Sequence, residues 1–280
     1  MQITVWGCRG SLPVSGAESN YFGGSTTCIE IRLEDGGLIV IDAGTGIRPL
    51  GKKLLSERRG GEITLILTHS HWDHLMGFPF FGPAYQKGFS IHVRGGPIAK
   101  ETVRKFLEHQ MEPPYFPVSF SAMKAQFDYT HGIPKIKQVG GAEVTPIPLS
   151  HPNGGYGYRI DEAGKSFVFL TDNELGYVHE GGATMSDYIR FCRKADLLLH
   201  DSQYTFSEYE QYEGWGHSTF RDAEKLAAGA GVRRLGFCHH DPDRKDDELK
   251  RIIDGCRRSL SEQNVKLDCF GARERMEITL

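Results

Sequence analysis

The chain has 280 residues, with 33 Lys and Arg against 36 Asp and Glu and a net charge of −3. That balance argues against a broad basic surface for duplex nucleic acid, and it leaves room for a small anionic substrate held by local fields. A composition 39 % apolar and 25 % charged excludes disordered and collagen-like chains and suits one sizeable core. No apolar run approaches the ~20 residues that cross a bilayer, so no membrane association is expected. The opening MQITVWGCRG reads as a strand without a signal-peptide pattern. The six cysteines are scattered with no CxxC, as expected for reduced thiols of a cytoplasmic protein.

The first 70 residues are β-rich. Gln2–Trp6, Thr27–Leu33 and Leu38–Ile41 are strand-like, and the turn-type Glu34-Asp35-Gly36-Gly37 joins the last two. Arg58-Arg59-Gly60-Gly61 reads as loop. Ile63–Leu67 reads as a strand buried on both faces, and Phe89–Val93 as another strand. Pro97–Gln110 has helical spacing, with Ile98, Val103, Phe106 and Leu107 on one face. The three prolines within Met111–Val118 exclude regular helix there. Residues 95–141 therefore read as a lid insertion within a single domain spanning 1–280. Strands return at Glu143–Leu149, Tyr156–Ile160, Ser166–Leu170, Asp196–His200 and Arg234–Cys238. Helices are expected at Met185–Lys194, at Phe220–Ala230 behind a Thr219-x-x-Asp222 cap, and at Asp246–Gln263. Strands followed by helices, twice over, predict two packed sheets with helices outside.

Five apolar runs end in residues that can bind metal. Leu65–Thr68 leads into His69, Ile147–Ser150 into His151 and Phe167–Thr171 into Asp172. Leu197–Leu199 leads into His200 and Asp201, and Leu235–Cys238 into His239 and His240. Sites collect where strands end at one rim of a sheet. The densest signal is Thr68-His69-Ser70-His71-Trp72-Asp73-His74. His69 and His71 are two apart and point the same way in extended chain, whereas the adjacent Asp73 and His74 diverge and can serve a second ion. Imidazole and carboxylate suit Zn²⁺, and also Mn²⁺ or Fe²⁺. Asp172 fits either a helix N-cap or a bridge between two cations, and the neighbouring strand ends favour the bridge.

The pattern His69-x-His71-x-Asp73-His74, followed by His151, Asp172 and His239, resembles the metallo-β-lactamase superfamily over nearly the whole chain. Three further stretches are similar to its phosphodiesterase branch, which includes RNase Z and the class II cyclic-nucleotide phosphodiesterases. They are Trp6-Gly7-Cys8-Arg9-Gly10-Ser11-Leu12-Pro13, Leu199-His200-Asp201 and Gly216-His217-Ser218-Thr219. The resemblance implies an α/β fold, a four-layer αββα sandwich. It implies one metal on His69, His71 and His151, a second on Asp73, His74 and His239, and Asp172 bridging them. Aligning Leu235–Cys238 with the family's last strand makes His239 the ligand, and His240 then lies behind it, contacts substrate or is a solvated loop residue.

The implied activity is a dinuclear phosphodiesterase using Zn²⁺, or Mn²⁺ or Fe²⁺, and a metal-bridging hydroxide. Asp73 then has a catalytic as well as a ligating part, His217 is the acid for the leaving oxygen, and Asp201 orients it. The expected substrate is a small anionic nucleotide phosphodiester such as a 3′,5′-cyclic one, and the family suggests a homodimer. Three other readings stand beside it: a tRNA 3′-processing endonuclease, a thioester, lactone or β-lactam hydrolase, and a metal-binding sensor. No long basic arm for tRNA is evident. Tyr85, Tyr115, Phe116 and Phe120 either stack on a base or form core beneath a loop. Trp72 reads as packing beside the metal loop, and Arg9 as a phosphate contact or a partner of an acid. His92, His109, His131 and His179 read as structural or solvated, and Asp241-Pro242-Asp243 as a turn.

Overall fold

The computed structural model describes residues 1–57, 60–95, 103–129 and 138–280. Arg58, Arg59, His131 and the first part of the expected 97–110 helix lie outside these. The first sheet contains β1 (Gln2–Gly7), β2 (Cys28–Arg32), β3 (Leu38–Ile41), β4 (Gly61–Leu67), β5 (Phe89–Gly95), β6 (Gln126–Tyr129) and the last strand, β14 (Met276–Thr279). The second contains β7 (Gln138–Val139), β8 (Ala142–Pro148), β9 (Tyr156–Glu162), β10 (Lys165–Leu170), β11 (Leu197–Asp201), β12 (Arg234–Cys238) and β13 (Asp268–Gly271). The orders are β14-β1-β2-β3-β4-β5-β6 and β13-β12-β11-β10-β9-β8-β7. Each sheet has an antiparallel half and a parallel half, β3 to β6 in the first and β10 to β13 in the second.

Strand alternation sorts the side chains into three cores. Ile29, Ile31, Ile39, Ile41 and Ile66 of the first sheet face Tyr158, Ile160, Phe167, Phe169, Leu197 and Leu199 of the second. The opposite face of the first sheet (Leu38, Val40, Ile63, Leu65, Leu67) packs on α1 (Ile47–Glu57) and α2 (Val103–His109). The opposite face of the second (Val168, Leu170, Leu198, Leu235, Phe237) packs on α3 (Met185–Phe191), α4 (Phe220–Ala230) and α5 (Asp246–Glu262). The result is the αββα sandwich. Both faces of the central strands are covered, which is why Ile63–Leu67 and Phe167–Leu170 are almost continuously apolar.

The strands expected from the sequence form with ends moved by one or two residues. Thr219 caps α4, its Oγ1 accepting from the Asp222 amide at 3.1 Å. Helix α1 and strands β6, β7, β13 and β14 were not expected. The described part of the 95–141 segment adds β6 to the sheet edge and buries Val103 and Leu107 of α2 in the outer core. Phe116 packs edge-on against Phe80, Phe120 stacks on Phe78, and Tyr85 is half-buried with its hydroxyl on the Pro79 carbonyl. Of the four aromatics named above, Tyr115 alone is largely exposed. No helix among the described residues is long and apolar enough to cross a membrane.

Candidate metal centre

The parallel strands of both sheets end at one rim, and the polar residues after them converge there. Asp42 follows β3, His69 follows β4, Asp172 follows β10, Asp201 ends β11 and His239 follows β12. Three of these bends are strained. Asp42, Asp172 and His239 hold left-handed backbone, with φ of 62°, 48° and 57°. A non-glycine residue in that region costs about 1–3 kcal/mol. Here the conformation turns each side chain off its strand and into the rim.

Two sets of four donors result. His69, His71, His151 and Asp172 form one, and Asp73, His74, Asp172 and His239 the other. Asp172 gives each set a different oxygen. Its Oδ2 lies 3.6 Å from His69 Nε2 and 3.7 Å from His151 Nε2, and its Oδ1 lies 3.0 Å from His74 Nε2 and 3.2 Å from His239 Nε2. Asp73 Oδ2 is 3.2 Å from both His74 Nε2 and His239 Nε2, and His151 Nε2 is 3.1 Å from His71 Nδ1. A tetrahedral ion with bonds of ~2.0–2.1 Å sets donor edges of about 3.3–3.4 Å. The spacing therefore fits two ions sharing one carboxylate.

Satisfaction of polar atoms points the same way. The buried Nε2 of His69 has no hydrogen-bond partner, and that of His74 has only the carboxylates of its own donor set within reach. Carboxylates and imidazoles taken out of water cost several kcal/mol each unless partnered, and divalent ions are the partners this donor set suits.

Four of the five histidine donors are fixed from behind, and both carboxylates take a further hydrogen bond. His74 Nδ1 meets Asp42 Oδ2 at 2.7 Å, His239 Nδ1 meets Gln203 Oε1 at 3.0 Å, and His69 Nδ1 meets Thr68 Oγ1 at 3.1 Å. His151 Nδ1 donates to the Gly216 carbonyl at 2.9 Å, Asp73 Oδ2 accepts from the Ser11 amide at 2.9 Å, and Asp172 Oδ1 accepts from Thr171 Oγ1 at 2.7 Å. Such contacts set which imidazole nitrogen carries hydrogen and aim the other inward. Two glycines leave room for the rings. A Cβ on Gly216, whose φ is +92°, would sit 2.0 Å from His151 Nδ1, and one on Gly10 would sit 2.4 Å from His239 Nδ1.

Sequence reasoning missed Asp42. The signal was there, since Leu38–Ile41 is an apolar run ending, like the other five, in a residue that can bind metal. Asp42 is fully buried, and it also accepts from the Thr68 amide and hydroxyl, both at 2.8 Å. Asp42→Asn is expected to weaken metal binding by ~10–100-fold in the His74 half, which it contacts directly, and by less in the His69 half, which it reaches through Thr68, read by chelator competition. Equal weakening of both halves would contradict the assignment.

Protonation is uneven across the cluster. Burial pushes His151 down to about 4 and His69 well below the usual imidazole range. Burial acts on His239 too, but Asp172, Asp73 and Asp201 outweigh it and push it up to about 9. For His74 the carboxylates of Asp172, Asp73 and Asp42 likewise overcome burial. Both rings therefore hold protons at neutral pH that a metal must displace. Apparent metal affinity should climb with pH from neutrality through about 9, where His239 gives up its proton. Calorimetric titration in buffers of different ionisation enthalpy counts the released protons, and identical heats in both would refute the prediction.

A third group, Asp201, His217 and His239, adjoins the second donor set. It is already hydrogen-bonded. His217 Nδ1 lies 2.6 Å from Asp201 Oδ2, and its ring stacks on His239 at 4.8 Å between centroids. His240 turns away from the rim, with Nε2 2.8 Å from the Ala272 carbonyl. His200 is buried beside Asn173. Arg9 touches neither a phosphate-facing opening nor an acid. Its fully buried guanidinium donates to the carbonyls of Gly23, Asp241 and Arg244 and ties the N-terminal loop to the turn before α5. Trp72 departs from the packing expected of it. Its neighbours His71, Asp73 and His74 all turn inward on a tight turn, which leaves Trp72 outward and 76 % exposed.

Fold and donor set together define a metal-dependent hydrolase. The chain belongs to the β-lactamase superfamily domain family, whose sequence model matches residues 38–240. Among its relatives, the ribonuclease Z of Haloarcula marismortui is 22 % identical over 308 residues, covering 91 % of this chain and 93 % of that protein. Two solved structures share the fold. The short form of human tRNase Z has a TM-score of 0.66 and 19 % identity, covering 100 % of this chain and 99 % of that one. A diphosphatase of the PhnP family has a TM-score of 0.67 and 18 % identity, covering 100 % and 97 %.

Proposed function

We propose that the protein is a dinuclear metal-dependent phosphodiesterase acting on a small nucleotide phosphodiester, with 3′,5′-cyclic nucleotides as first candidates. The observation that carries this reading is the His217–Asp201 pair, 2.6 Å apart and stacked against the second donor set. Carbonyl hydrolysis on a metal pair does not require an acid there, whereas expulsion of an alkoxide from phosphorus does.

In this reading His69, His71 and His151 hold one ion, Asp73, His74 and His239 the other, and Asp172 bridges. When bound, the ions supply Lewis acidity, polarising phosphoryl oxygens and lowering the pKa of water at the site; Zn²⁺, Mn²⁺ and Fe²⁺ all suit the donors. Asp201 accepts from His217 Nδ1 and leaves Nε2 as the nitrogen that presents a proton to the departing oxygen. Asp73 is fixed by the Ser11 amide beside His239. Trp72 and Trp215, next in sequence to His71 and Gly216, are exposed by 76 % and 62 % and are the first candidates for stacking on a base.

The net charge of −3 disfavours the long phosphate track of a tRNA relative to a small diester. The test is turnover of 3′,5′-cyclic mononucleotides, a linear dinucleotide, a synthetic bis-aryl phosphodiester and a precursor tRNA by Zn²⁺- or Mn²⁺-loaded protein. Asp73→Ala serves as the blank. Cleavage of the small nucleotides supports the reading, and cleavage of the tRNA alone moves the substrate to RNA. No diester cleavage by metal-replete protein overturns the reading in favour of a carbonyl hydrolase or a sensor.

A further inference from the structure

Glu174 is not a donor to either metal set, yet it lies two residues beyond Asp172 and is 1 % exposed. Its carboxylate accepts four hydrogen bonds. Oε1 takes the Tyr209 hydroxyl at 2.6 Å and the Gly214 amide at 2.7 Å. Oε2 takes the Gly216 amide at 2.7 Å and His179 Nε2 at 2.8 Å. A carboxylate has about four acceptor positions, so this one is saturated. Three of the four donors belong to the loop between β11 and α4. That loop ends in Gly216, whose carbonyl receives His151 Nδ1, and in His217. Ser218 continues the seam, accepting from the Leu175 amide at 3.0 Å and donating to the Asn173 carbonyl at 2.5 Å.

From these contacts we infer that Glu174 is a positioning residue, which registers the 209–217 loop so that His217 and the rear of His151 are set from the same peg. The stretch from Asp172 to Glu174 thus places the bridging carboxylate at one end and the proton-donor loop at the other. The inference rests on the phosphodiesterase reading for its kinetic consequence, but its structural half does not.

The substitution that isolates the role is Glu174→Gln. An amide has one oxygen, and it can satisfy either Gly214 or Gly216. The other backbone N–H then faces an NH₂ donor. The tyrosine hydroxyl can rotate and the His179 tautomer can change, but a backbone amide can do neither. The loop must therefore shift at one of its two glycines. A displacement on the order of 1 Å at a catalytic group costs up to about 10²-fold in rate.

The experiment compares wild type, Glu174→Gln, Tyr209→Phe, His217→Ala and the Glu174→Gln/His217→Ala double variant, all metal-loaded. Amide hydrogen exchange across 205–217 and metal content are read without substrate, and rates are read on aryl phosphodiesters with good and poor leaving groups. Glu174→Gln should retain both ions, speed exchange across the loop, and lose ~10–100-fold on the poor leaving group with little loss on the good one. It should add nothing in the His217→Ala background, because the same proton transfer is already gone. Tyr209→Phe, which removes one donor and no backbone contact, should shift exchange and rate in the same direction by less. Unchanged exchange, equal loss on both diesters, or additive loss in the double variant would overturn the inference. If wild type cleaves no diester, the phosphodiesterase reading fails while hydrogen exchange still decides whether Glu174 holds the loop.

Discussion

Asp172→Ala is expected to lose both metal ions, where His71→Ala loses one. The difference follows from geometry. Asp172 Oδ2 borders the His69–His71–His151 set and Oδ1 borders the Asp73–His74–His239 set. Structural Zn²⁺ sites with four donors bind with about 10–16 kcal/mol, so one donor is worth roughly 3–4 kcal/mol, or about 10²–10³-fold in affinity. Removing Asp172 applies that loss to both sites at once. It also removes the charge that keeps two dications tolerable close together. Metal content after dialysis should fall from two ions to below one in Asp172→Ala, and to about one in His71→Ala.

Stability should follow occupancy. A ligand that binds only the folded state stabilises it by RT ln(1 + [L]/Kd). Chelator should therefore lower the Tm of wild type and leave Asp172→Ala almost unmoved. The result that would sink the bridging role is an Asp172→Ala protein that keeps one ion at wild-type affinity. In that case Asp172 serves one set, and its closeness to the other is incidental.

Much of this centre was legible because the fold rule and the chemical rule coincide. A strand buried on both faces must be an apolar run, and a site at the sheet rim must put polar residues where the run stops. Leu65–Thr68 before His69 and Phe167–Thr171 before Asp172 satisfy both rules within a few residues. The same logic reaches Asp42 after Leu38–Ile41, but nothing in the sequence places that carboxylate beside a histidine of the cluster. Its role appears only when folding brings His74 within 2.7 Å. Glu174 was hidden for a similar reason, since its four donors lie between 5 and 42 residues away.

The missed elements are those whose stability is not local. Strands β13 and β14 are four residues each in a polar stretch, and they exist because β12 and β1 supply their partners. Helix α1 opens behind Gly44-Thr45-Gly46 and carries Pro49 in its first turn, signals that resemble a loop. Proline is tolerated there because the first helical amides have no partner within the helix. Buried Ile47, Leu50 and Leu54 against the first sheet then complete it.

For His217→Ala, the expected result is a loss that depends on the substrate. General acid catalysis contributes ~10²–10⁴-fold when the leaving oxygen is a strong base, and almost nothing when it departs readily as a stable anion. On a cyclic nucleotide or an alkyl diester the variant should therefore lose ~10²–10⁴-fold in kcat, and on a nitrophenyl diester less than ~10-fold. The ring's placement supports a task of this kind. Asp201 is fully buried and receives Nδ1, and His239 stacks on the ring's face. One nitrogen is thereby committed and the other is left to the substrate. Asp201→Asn keeps the shape of the pair but weakens its hold on the imidazolium, so it should fall on the same side of the leaving-group comparison with a smaller loss. If His217→Ala slows both substrate classes equally while metal content stays at two, His217 does not donate the proton. It would then act on binding or on the loop, and the acid would have to be sought among the groups that border the second donor set.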